Sequence, residues 1–207
     1  MIGQLPQILC IDVGSQRNIG WASSDGEQGD ANTLAAALSR IVACLMKGRP
    51  AAIGFEAPIW TPRRADLARL TSRREGIERV LNRPWSAGAG TGALGTALAL
   101  MPWCLAHIAQ AAGPVSTTVD LSLFRANGGL LLWEAFVSGI GKGLASTHAS
   151  DAALACRAFE SRWPDLTSDI PAEPALNHAV SSAIAAGLSI DLREICVPCV
   201  VVGVLGS

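Results

Sequence analysis

Three apolar runs in this chain each carry a single carboxylate. Residues 7–24 read QILCIDVGSQRNIGWASS, with Asp12 inside the run from Ile8 to Val13. The run Ala51 to Phe55 ends on Glu56, and GLLLWEAFV, residues 129–137, holds Glu134. Short apolar runs bounded by turn residues read as buried strands. An ionised side chain inside such a strand costs several kcal/mol unless a cation or hydrogen-bond donors meet it. The fold must therefore gather strand ends around something that compensates the acids.

Between these runs the chain alternates. Residues 7–13 and 18–24 are expected to form a hairpin across GSQR, with Gly14 and Gly20 relaxing the backbone at either end. Residues 32–47 place Leu34, Leu38, Ile41 and Leu45 at helical spacing behind a cap at Asp30 or Asn32, and Lys47-Gly48-Arg49-Pro50 stops that helix. Further on, the pattern predicts an arginine-rich helical segment from Arg63 to Leu81, a flexible loop from Gly88 to Gly95, and an apolar helix from Thr96 to Ala111. A strand over Val115 to Asp120 follows. Residues 147–161, THASDAALACRAFES, read as a helix capped by Thr147 with His148 and Asp151 on one face, ended by Pro164. A helix near 173–187 and an apolar tail from Cys196 to Val202 complete the order. No repeat or low-complexity linker divides the 207 residues, so one α/β domain is expected, burying about 70% of its unfolded surface.

Hydrophobic residues make up 50% of the chain and charged ones 16%, which excludes the disordered class. The formal charge of -1 points to no particular partner, but its distribution is uneven: residues 61–83 hold seven arginines against three acids, a local +4. From Pro84 to Val119 there is no charged residue at all. Glycines, Pro102, His107 and Gln110 interrupt this stretch, which favours a buried helix over a membrane span, and no membrane partner is expected. The start, MIGQLPQIL, has no basic region ahead of its apolar residues, so no signal peptide and a cytoplasmic setting are expected. Six scattered cysteines fit a reducing compartment. Cys196 and Cys199 lack the second ligand pair that a zinc site needs, and read as structural thiols.

Asp12, Glu56, Glu134 and Asp151 make most sense together. Several acids in apolar surroundings are best compensated by a hard divalent cation, Mg²⁺ or Mn²⁺. Two such ions about 4 Å apart suit in-line hydrolysis of a phosphodiester.

Ile11-Asp12-Val13-Gly14-Ser15, followed by Gly20-Trp21, resembles the first-strand motif of the RNase H-like superfamily, nearest to its Holliday-junction-resolvase branch. Ile53-Gly54-Phe55-Glu56 resembles the glutamate-ended strand of that fold, and His148-Ala149-Ser150-Asp151-Ala152 resembles the motif opening its last catalytic helix. Leu132-Trp133-Glu134 is similar to a strand of predicted RNase H-like nucleases known as a domain of unknown function. The resemblance implies a mixed sheet with helices on both faces and an Arg/Gly-rich insertion at about 57–95. It implies a two-metal nuclease: Asp12 bridging, Glu56 and Asp151 each holding one ion, His148 as ligand or base, and Glu134 as a further ligand. Dimeric resolvase relatives leave a homodimer open.

For the arginine segment two readings stand. Arg63, Arg64, Arg69, Arg73 and Arg74, with Ser15 of the first turn, could engage a DNA or RNA substrate. Alternatively the segment is a solvated helix laced by Glu75–Arg79 and Arg74–Glu78 pairs. Trp60 and Trp85 flank it and are the candidates for base stacking, whereas Trp21, Trp103 and Trp133 read as core. The glycines from Gly88 to Gly95 could cradle a phosphate, but lack the lysine of a P-loop. Two other functions fit the first motif: a non-catalytic RNase H-like module that binds nucleic acid or protein, and an actin-like or sugar-kinase ATP-binding fragment. The second normally needs a longer chain with a second such turn.

Overall fold

The computed structural model describes residues 4–14, 18–138 and 146–204. It is an α/β structure around a seven-stranded mixed sheet. Strand β1 (Gln7–Asp12) pairs antiparallel with β2 (Gly20–Ser23), which pairs antiparallel with β3 (Gln28–Asp30). On its other side β1 runs parallel to β4 (Ala51–Glu56), and β4 runs parallel to β7 (Leu130–Val137). The far edge of β7 is shared by β6 (Thr117–Thr118) at its start and β9 (Val201–Val204) at its end, both parallel. A separate antiparallel ribbon joins β5 (Trp60–Pro62) to β8 (Ala175–Asn177).

The central strands are apolar on both sides because helices cover both faces. Leu9 and Ile11 of β1, Ile53 and Phe55 of β4, and Leu130 and Leu132 of β7 pack toward α1 (Leu34–Met46), α3 (Ala89–Ala112) and α6 (His178–Ala186). Ile8, Cys10, Ala52, Leu131 and Trp133 face the opposite way, toward α5 (His148–Arg162) and Phe124 of α4 (Leu121–Asn127). On that second face Trp133 lies against Phe159 with ring centroids 4.8 Å apart, a contact that contributes about 0.5–1.5 kcal/mol beyond buried area. Gly54 makes the room: a Cβ there would sit 2.3 Å from the Trp133 ring.

Several expected elements differ. The arginine segment is mostly irregular, with a single 3₁₀ turn at Leu67–Arg69 and a short α2 (Ile77–Leu81). The expected glycine loop forms the first two turns of α3, because the helix gains its stability downstream, where Met101, Cys104, Leu105 and Ile108 are buried in the core. By length and composition alone α3 could cross a membrane, yet its inner face packs against the helices and strands of this core. The strand expected over 115–120 shortens to β6, and the helix expected at 173–187 divides into β8 and α6.

Candidate metal centre

Asp12 ends β1 and Glu56 ends β4, and the parallel register sets them side by side. Paired residues of neighbouring strands share a face. By alternation theirs is the face of Ile8, Cys10 and Ala52, covered by α5. Asp151 lies in the first turn of α5 on that same side. One carboxylate oxygen from each of the three residues lies within 4.8 Å of the others, with Asp12 only 5% and Asp151 3% exposed.

The approach of α5 depends on the second strand. Gly20 stands opposite Asp12 in the hairpin, and a Cβ there would lie 2.3 Å from the backbone of His148 and Ala149. Only glycine lets the helix begin at this point, which gives the Gly20-Trp21 pair a physical reason. Thr147 then caps the helix: its hydroxyl accepts from the Ser150 N–H at 3.1 Å, while the Thr147 N–H donates to Ser150 Oγ at 2.9 Å. Asp151 gains from the positive end of the helix dipole, and the Ser146 hydroxyl donates to its Oδ1.

His148, half-exposed at the same helix start, donates from Nδ1 to Asp12 Oδ2 at 2.7 Å. That bond fixes the tautomer and leaves the lone pair on Nε2. The site thus combines three close carboxylates with an oriented imidazole. Like charges this close, partly withdrawn from water, repel strongly, and an all-oxygen donor set of this kind suits a hard cation such as Mg²⁺ or Mn²⁺. The residues fit the ion.

Glu134 does not join them. Its register partner is Phe55, so it projects from the opposite face of the sheet. There Arg74 donates to it at 2.5 and 3.0 Å, and the Ile59 N–H donates to its Oε2 at 3.1 Å. Arg74 also donates to Glu78 at 2.8 Å, from both side chain and backbone N–H, and its guanidinium lies 4.5 Å from the centre of the Trp60 ring. Arg74, Glu78, Trp60 and Glu134 are all buried. Burial pushes the Glu134 carboxyl above its ordinary value, against the pull of Arg74. Burial alone would discharge Arg74, but the two carboxylates hold it charged more firmly than usual.

This network corrects three expectations. Glu134 serves an internal ion pair in place of a metal, Arg74 is sealed away from substrate, and Trp60 has no face to offer a base. The Arg74–Glu78 pair does form, but inside the protein and not on a solvated helix. The rest of the arginine segment is partly engaged as well. Arg64 reaches Glu173 and the carbonyls of Arg69, Ser72 and Arg73, while Arg73 donates to Asn82 at 2.7 Å. Arg63, Arg69 and Arg73 remain exposed, and Glu75–Arg79 is an exposed pair as expected. Ser15 lies outside the described residues. Trp103, expected in the core, is 49% exposed on α3.

A cavity of about 870 Å³ opens beside the centre, lined by Asp12, Glu56 and His148 at one end and Trp85 and Phe136 elsewhere. Neither this cavity nor the Ser146 contact had a signal in the sequence, since both depend on how the start of α3 and the approach to α5 meet the strand ends. Compared with protein-family models, curated proteins and solved structures, the chain matches none of them.

Proposed function

We propose that this chain is an RNase H-like, metal-dependent nuclease that hydrolyses phosphodiester bonds of nucleic acid, with Asp12, Glu56 and Asp151 holding Mg²⁺ or Mn²⁺. The observation that carries the reading is the convergence of three carboxylate oxygens within 4.8 Å at the ends of two parallel strands and the start of one helix. These are the residues that the first-strand, glutamate and last-helix motifs single out.

When bound, the metal supplies activation of water and neutralisation of charge at the phosphate. The protein's own groups supply position and proton handling. Asp12 and Glu56 sit on neighbouring strands that cannot shift independently, and Ser146 orients Asp151. His148 has its Nδ1–H on Asp12, so a proton taken at Nε2 would create an imidazolium stabilised by that carboxylate. In the proposed reaction a water oxygen bonds to phosphorus, the bond to the 3′ oxygen breaks, and the products are a 5′-phosphate and a 3′-hydroxyl. All six cysteines are free thiols, which supports a reducing, cytoplasmic setting.

Calorimetric titration with Mn²⁺ tests the reading, run for the wild type beside Asp12→Asn and followed by cleavage assays on DNA and RNA. Binding and cleavage are expected for the wild type and neither for the variant. Equal metal binding by both, or wild-type cleavage by Asp12→Asn, would overturn the assignment.

A further inference from the structure

Beside the acidic triad the protein has a chamber, not a charged track. Its 870 Å³ falls within the range of pockets that enclose a small ligand, about 300–1,000 Å³. One end is formed by Asp12 and Glu56 of the triad, with His148. The walls are Pro58, Phe136, Ala93 and Trp85, and the first turns of α3 contribute Gly90 and Gly92.

Trp85 is held in place from two sides. Its indole N–H donates to the Ser72 carbonyl at 3.1 Å. The backbone of Pro84 and Trp85 rests directly on Gly90, where a Cβ would come within 2.6 Å of the Pro84 carbonyl oxygen. An aromatic side chain positioned in this way is a stacking platform whose ordering is complete before any ligand arrives.

The charges point the same way. A protein that follows a duplex backbone needs a row of free cations. Here Arg74 is sealed between Glu78 and Glu134, Arg64 is tied to Glu173, and Arg79 is paired with Glu75, while the exposed Arg63, Arg69 and Arg73 do not line the chamber. Among the described residues lining the chamber, Arg83 is the one cation. Glu78 and Glu134 also border the chamber, but Arg74 engages both. An acidic end for a metal, the aromatic Trp85 and Phe136, and one cation match a single base with its flanking phosphate.

Resting on the nuclease reading, we infer that this chamber is the subsite for one nucleotide unit, so that the substrate is a single strand or a frayed strand end and not the interior of a duplex. Gly92 provides a clean probe, because a Cβ there would meet nothing within 4 Å. Gly92→Leu should therefore fold, with better helix propensity than the wild type, while filling the chamber.

The test is fluorescence anisotropy with a short labelled single-stranded oligothymidylate and with a blunt duplex, in Mn²⁺ and in chelator. Wild type, Gly92→Leu and Trp85→Ala are compared, and Mn²⁺ calorimetry runs in parallel. The expected result is single-strand binding about tenfold or more tighter than duplex binding, weakened about tenfold by either variant, with Mn²⁺ affinity unchanged. Equal affinity for the duplex, or wild-type single-strand binding by both variants, would overturn the subsite. Absent Mn²⁺ binding alongside intact, variant-sensitive oligonucleotide binding would instead overturn the nuclease reading and leave the subsite in place.

Discussion

Two clusters of acids lie back to back on the two faces of one sheet, and they compensate their charge differently. On the α5 face Asp12, Glu56 and Asp151 converge with an imidazole and a hydroxyl at the margin. On the opposite face Glu134 and Glu78 enclose a guanidinium. The sequence signature of each is the same, an acid in or at the end of an apolar strand. What separates them is one step of strand register: Glu56 pairs with Asp12, whereas Glu134 pairs with Phe55. The second cluster encloses Arg74 among its acids, whereas the first brings together three carboxylate oxygens that could hold a metal ion.

The sharpest way to break this comparison is to remove the internal cation. Arg74→Leu should cost about 3–5 kcal/mol by leaving two buried acids unpaired, read as a lower midpoint in chemical denaturation. Replacing Arg74, Glu78 and Glu134 together by apolar residues of similar size should restore most of that loss, since a well-packed apolar substitute is often neutral or better. A triple variant as unstable as the single one would show that the network does more than balance charge.

Next in size is Gly20→Val, which should cost about 1–3 kcal/mol by forcing the start of α5 outward. Its diagnostic signature is a weaker Mn²⁺ affinity, measured by calorimetry, although the substituted residue carries no ligand atom. Asp12→Asn, on the same α5 face, should separate metal binding from stability. Metal binding disappears, while stability in chelator stays within about 1 kcal/mol of wild type or rises, because a repelling charge has gone. A large loss of stability in chelator would place Asp12 in the structural class with Glu134.

The smallest expected effect serves as a control outside both clusters. His178, at the ribbon of β5 and β8, has its pKa lowered by burial. A lowered folded value means that stability is complete above the unfolded value, about 6.5, and is lost as pH falls through the folded one. Thermal unfolding followed from neutral to mildly acidic pH should therefore show less acid sensitivity in His178→Gln than in wild type, with Mn²⁺ binding unaffected.

Much of the frame was legible in the sequence. Apolar runs bounded by turn residues marked β1, β4 and β7, and Thr147 with its polar neighbours marked the start of α5. Asp12, Glu56, His148 and Asp151 could be picked out because an acid or histidine at such positions demands a reason. The face of Glu134 could not, because alternation says which residues of one strand point together but not how the next strand is aligned. The spacing of Arg74 and Glu78 revealed that they could pair, yet local spacing carries no information about what covers the pair. The same limit explains Trp60. The glycine-rich start of α3 looked like a loop because propensity is a local quantity, while the helix there is extended from a buried core further along.

Because the three carboxylates come from the first strand, a central strand and a late helix, no short segment of the unfolded chain can reproduce their arrangement. On the proposed reading the metal would be a ligand of the native state alone, and its chemical potential would enter the folding equilibrium. At a concentration one hundred times the Kd, a single such ion would stabilise the fold by about 2.7 kcal/mol. Melting temperature should then climb with the logarithm of Mn²⁺ concentration, and heat resistance would serve as a readout of how much free divalent cation surrounds the protein.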